Sequence, residues 1–139
     1  MKRAILAFAA GLVVWVVAIS VLNAALRLFL GGYAAAEPTM SFTLGMLLAR
    51  LAIAALTSVI AGGVAGWIAP ASTSVPVLLG VVLLLVFLPI HVRIWSLFPF
   101  WYHLVFLATL NPLVALGAWL TRARRVAGAA AGGAGASPR

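Results

Sequence analysis

The sequence predicts an all-α fold: an integral membrane four-helix bundle, antiparallel and up-down, followed by a disordered C-terminal tail. Three observations carry that expectation. Only 7% of the residues are charged and 66% are hydrophobic, whereas soluble domains are about 25% charged. Nine basic and one acidic side chain cannot coat a water-exposed surface of this size, but lipid-facing positions need no charge. Four apolar stretches stand between short breaks containing Gly, Pro or Ser, and the basic residues gather at the chain ends.

After Met1, Lys2 and Arg3, residues 4–30 are apolar apart from Ser20, Asn23 and Arg27. A helix rises about 1.5 Å per residue, so roughly 20 residues cross the hydrocarbon. A cleaved signal peptide is the rival reading, because Asn23, Ala24 and Ala25 mimic a cleavage site. Such peptides have apolar regions of about 7–15 residues, and this run is longer, so it is read as the first span. Gly31, Gly32 and Pro38 mark a connection. Thr39 or Ser41 is expected to cap the next helix, giving a second span over 40–69 that is long enough to tilt or project. A polar turn with Pro70 and Pro76 precedes the third span, 77–90, which Pro89 is expected to kink or end. Pro99 is suited to a helix start. The fourth span covers 100–120, with a bend expected at Pro112. Residues 1–125 thus form one transmembrane domain. The Ala/Gly-rich stretch 126–139 has nothing to pack and is expected to be disordered.

Charge sets orientation. Lys2, Arg3, Arg122, Arg124, Arg125 and Arg139 lie at the ends, against Arg27, Arg50, Arg93 and Glu37 around the first and third connections. The positive-inside rule then puts both termini in the cytoplasm. Tyr33, Trp95, Trp101 and Tyr102 fall at the outer interface, and Trp67 and Trp119 at the inner one. A net charge of +8 would suggest nucleic acid in a soluble protein. Here it points to the lipid bilayer, with anionic head groups at the basic termini, and no nucleic-acid partner is expected.

Helix association in lipid needs close backbone approach or polar contact. Ala54, Ser58, Gly62 and Gly66 recur every four residues along the second span. That stripe is read as a packing face inside the bundle, with a homo-oligomer or a larger membrane complex as the alternative use.

The polar residues are the candidate site. Ionisable groups within a span are costly, by about 2.5–3.5 kcal/mol at the centre, and need partners. Ser20, Asn23 and Arg27 share one face of the first helix, and Thr43, Arg50 and Thr57 share one of the second. Glu37, the only acid, lies between them and is expected to pair with Arg27 or Arg50. One carboxylate cannot neutralise Arg27, Arg50 and Arg93 together. His91, Arg93, Trp95, Trp101, Tyr102 and His103 extend the cluster from the third connection. Asn23 and Asn111 are expected to tie helices together. Two histidines without acid or thiolate support are a poor metal set, so neither a metal nor a cofactor is expected. With no cysteine, disulfides and thiolate chemistry are excluded. No paired carboxylate, nucleophile elbow or phosphate loop is present, and the chain is read as non-enzymatic.

The run PIHVRIWSLFPFWYH over 89–103, the connection from Tyr33 to Glu37 and Pro38, and Leu48-Ala49-Arg50-Leu51 resemble small four-span bacterial inner-membrane proteins of unassigned function. The resemblance covers most of 4–121. It implies a four-span inner-membrane fold and no activity. Small multidrug exporters are of similar size but rely on a Glu in the first helix, which this chain lacks. The cluster is therefore read as structural, or as a holder of a lipid or polar head group. The alternatives are a small transporter using it as a substrate or proton site, or an accessory subunit docking through the Gly62/Gly66 face.

Overall fold

The computed structural model describes residues 1–134. It is helical throughout, with α1 (Lys2–Phe29), a short α2 (Tyr33–Ala36), α3 (Leu44–Ile68), α4 (Ser74–Arg93), a 3-10 turn (Trp95–Leu97) and α5 (Phe100–Ala134). The four long helices are each long and apolar enough to cross a membrane, and only 17–33% of the residues in their most hydropathic stretches are buried within the bundle. The remainder point outward: Val16, Val17 and Val21 on α1, Leu85 and Val86 on α4, and Leu104 on α5 are all exposed. An apolar belt of this extent is stable only against lipid, and the protein is a multi-pass membrane protein.

Four helix boundaries differ from expectation by three residues or more. The second long helix starts at Leu44 rather than 40, because the chain turns back first: Ser41 N–H donates to the Ala36 carbonyl and Met40 sits at φ 54°. That left-handed conformation is incompatible with a helix. Thr43 provides the cap, its hydroxyl accepting from Met46 N–H at 3.4 Å, while the expected caps Thr39 and Ser41 bond each other. The third long helix starts at Ser74, three residues early. Pro76 fits there because first-turn N–H groups have no helical acceptor to lose. Pro89 does not end it; the helix continues to Arg93. The last helix runs through Pro112 and beyond Leu120 to Ala134. Its extension beyond Arg125 is exposed as far as residue 129, and nothing lies within 4 Å of a Cβ built on Gly128. Residues 135–139 of the expected tail lie outside the described residues.

α3 is the hub, packed against α5 on one side and α1 on the other, and α4 closes the bundle against α5 and α1. The α3–α5 seam brings backbone to backbone. A Cβ on Gly62 would run into the Val114 carbonyl, one on Gly66 would lie 2.8 Å from Ala118 Cα, and one on Gly117 would strike the Val59 carbonyl. The small-residue stripe is thus spent inside the chain: Ala54, Ser58, Gly62 and Gly66 are all buried. The Gly62/Gly66 face, considered above as a docking surface, is covered by α5 within the chain. Midway along the bundle, Trp15 Nε1 donates to Ser58 Oγ at 3.1 Å, and Ser58 donates on to the Ala54 carbonyl. This polar tie joins α1 to α3 where lipid offers no competing partner.

The bundle has two unlike ends. At one, Arg3 and Ala4 border the same depression as the α3–α4 turn, Arg122 donates to the Ser72 carbonyl, and Arg125 lies 5.7 Å from the Trp67 ring. At the other are the first and third connections, and the polar cluster.

Candidate functional site

The first connection is folded onto the bundle by Gly32, whose φ of 77° suits glycine, so that α2 turns inward and Tyr33 becomes fully buried. Glu37 lies at the C-terminal end of α2. It takes both Arg27 contacts, Nε to Oε2 and Nη2 to Oε1, each at 2.7 Å. This fork-to-fork geometry fixes both partners. Hydrogen bonds from Arg27 hold the Glu37 carboxyl below its usual range, and the charges of Arg27 and Arg50 act in the same sense against partial desolvation.

Arg50 is left without the carboxylate. Its Nη1 donates to Tyr33 Oη at 2.7 Å and its Nε to Tyr102 Oη at 3.2 Å, and its guanidinium lies 4.8 Å from the Phe42 ring centroid. The two phenols come from opposite sides, α2 and α5, and are 0% and 2% exposed. They solvate the cation without neutralising it. Tyr33 passes its own proton toward Asn23 Oδ1 at 3.5 Å, while Asn23 Nδ2 donates to the Ile19 carbonyl. The Tyr102 hydroxyl proton has no acceptor among the described residues. A guanidinium has five N–H groups, and only two of those on Arg50 are used by side chains.

Arg50 also borders a half-open cavity of about 220 Å³ that all four long helices line. Trp15, Ile19 and Asn23 come from α1, Arg50, Ile53 and Ala54 from α3, Phe87 from α4, and Tyr102 and Phe106 from α5. Asn23, Arg50 and Tyr102 supply its polar groups. Its apolar side includes three packed rings, with Trp15–Phe87 centroids at 4.9 Å and Phe87–Phe106 at 5.3 Å. A cation with spare donors beside an aromatic pocket can receive an anionic group attached to an apolar body.

Behind Tyr102 lies a histidine pair. His91 Nδ1 and His103 Nδ1 are 2.9 Å apart, with exposures of 3% and 0%. One must donate and the other accept. His91 stacks on Tyr102 at 6.0 Å and lies 4.5 Å from Phe106, while Trp95 stacks on His103 at 4.7 Å. His103 Nε2 is buried and has no partner. No group of three or more metal-ligating side chains occurs among the described residues.

The expected residues therefore separate. Arg27 and Glu37 form an outer pair. Asn23, Arg50 and Tyr102 line the cavity, and His91, His103 and Trp95 stand behind it. Trp101 flanks Tyr102 at 6.2 Å. Arg93 is exposed and outside the cluster. Asn111 makes no side-chain hydrogen bond and seats against Gly80 of α4. Thr57 is fully buried with an unpartnered hydroxyl. Sequence reasoning placed Tyr33 only at the interface and missed Trp15, Phe42, Phe87 and Phe106 as parts of the site. No protein-family model, curated protein or solved structure matches the chain.

Proposed function

We propose that this is a non-catalytic inner-membrane protein that holds the anionic head of a lipid-like molecule at Arg50. The observation that carries the proposal is the division of charge: the only acidic side chain is spent on Arg27, and Arg50, half-buried within a span, has neutral hydroxyls as its only polar side-chain partners. A charged group in a span is expensive unless paired or hydrated. An anion in the adjoining cavity supplies the missing charge and accepts from the free N–H groups of Arg50 and the free O–H of Tyr102. The cavity is smaller than the roughly 300–1,000 Å³ of drug-sized sites, which suits a head group and the first part of a chain. The transporter alternative has less support: Trp15, Phe87 and Phe106 bound the cavity with rings, the core beyond them is built on Leu79, Ala61, Ala65 and Val114, and the buried polar side chains there, Thr57 and Ser58, are not ionisable.

The resemblance to small bacterial four-span proteins and the basic residues at the terminal end support placement in the inner membrane with both termini cytoplasmic. Single cysteines replacing Arg3 and Arg124 should both react from the cytoplasmic side; labelling from opposite sides would reject this orientation.

Binding at Arg50 is tested by thermal unfolding in a neutral detergent. Phosphatidylglycerol or a long-chain fatty acid should raise the midpoint of the wild type, whereas phosphatidylcholine should not. A ligand at 100 times its Kd stabilises by about 2.7 kcal/mol. Arg50→Gln should abolish the shift and Arg27→Gln should retain it. An equal shift in Arg50→Gln would defeat the proposal.

A further inference from the structure

We infer that the Arg50 site binds its anion together with a proton, taken up by the His91–His103 pair. The inference rests on the anion-site reading above and adds a second, independent geometry. Two imidazoles joined Nδ1 to Nδ1 at 2.9 Å share one proton in that bond. In the neutral pair, the donor ring has a bare Nε2 and the acceptor ring carries its proton on Nε2. One added proton goes to the bare Nε2 and leaves the Nδ1–Nδ1 bond intact; a second would break it. The pair is thus a one-proton acceptor. One of its Nε2 atoms, that of His103, is enclosed without any partner, which leaves the proton on the pair dependent on nearby charge.

The surrounding charges decide when that proton is held. Arg50 of α3 reaches the pair through Tyr102 of α5, which receives the Arg50 Nε hydrogen bond and stacks on His91. Tyr33 of α2 lies on the far side of Arg50. Arg93, on the same helix as His91, points outward, and Glu37 is engaged by Arg27. No carboxylate is available to offset a second cation beside Arg50. With the cavity empty, protonating the pair places two positive charges close together in a medium that screens them weakly. With an anion on Arg50, the same proton is favoured. Linkage makes the effect reciprocal: the proton tightens the anion by the factor that the anion tightens the proton.

The test uses decanesulfonate, whose sulfonate stays ionised throughout, with the full chain in a neutral maltoside detergent. Affinity should be 5–150-fold higher at pH 5.5 than at pH 8, the usual span of such couplings. Binding at a pH between these, in weak buffer with an indicator dye, should take up a fraction of a proton per sulfonate, and never more than one. The double variant His91→Gln/His103→Gln, which has no imidazole left to take the proton, should bind with little pH dependence and no proton uptake. Arg50→Gln should not bind at either pH. Binding that requires Arg50 but is pH-independent and takes up no proton would overturn this inference and leave the anion site standing. Binding that is indifferent to Arg50, or absent altogether, would overturn both. If the double variant fails to fold, proton uptake by the wild type still decides.

Discussion

Replacing Gly62 by Ala puts a single methyl group where α3 and α5 touch backbone to backbone. The Cβ would collide with the Val114 carbonyl, and the Val114 carbonyl carbon and Cα are also within 3 Å. No flexible side chain can move aside, so the helices must separate or shift. Overpacking of this kind costs about 1–3 kcal/mol, and a backbone obstacle argues for the upper end. Alanine returns up to about 1 kcal/mol in helix propensity. The net loss is about 2 kcal/mol, or roughly thirtyfold in the unfolding equilibrium. Gly66→Ala meets Ala118 Cα at 2.8 Å and Cβ at 3.0 Å, a milder contact that should cost about half as much. Gly128→Ala, with open space around it, should cost nothing. Unfolding in mixed neutral and anionic detergent, followed by helical circular dichroism, measures all three. Gly62→Ala matching or exceeding the wild type would refute the close α3–α5 seam.

Two further outcomes follow from other contacts. Trp15→Phe and Ser58→Ala should each destabilise the bundle, and their double-mutant cycle should give a coupling of about 0.6 kcal/mol, as interhelical hydrogen bonds in membranes average; a coupling of zero would remove that bond. The Glu37 carboxyl is lowered from its usual 4.5 by Arg27, so the stability it contributes is fully present above about pH 4.5 and is lost as pH falls through the lower folded value. The wild-type advantage over Glu37→Gln should therefore be small, because Arg27 is half-exposed, constant from pH 7 to 5, and should shrink progressively below about pH 4.5 in thermal scans; an advantage unchanged at pH 3 would rule out the pair.

The spans were legible because the membrane imposes a length and a composition that the chain must satisfy alone. The Glu37 partner was legible because Arg27 lies ten residues away, across one connection. Boundaries were missed where backbone conformation overrode composition, as at Met40, and where a proline sat in a first turn, as at Pro76. The Tyr33–Arg50–Tyr102 bridge was not legible. Its members are 17 and 52 residues apart, and their meeting depends on helix rotation and on how α2 folds back. The same holds for the Trp15–Ser58 tie, 43 residues apart, and for the histidine pair, where sequence gave proximity but not the facing Nδ1 atoms. Gly117 complements Gly62 across the seam, yet one glycine in an apolar helix carries no signal of its partner.

The whole account turns on an Arg50 charge that the chain itself does not neutralise. Native mass spectrometry of gently extracted protein measures this directly. The wild type should carry one acidic amphiphile, phosphate- or carboxylate-headed, and Arg50→Gln should carry none while Arg27→Gln retains it. A wild-type spectrum with no bound anion, or the same bound species in Arg50→Gln, would contradict it.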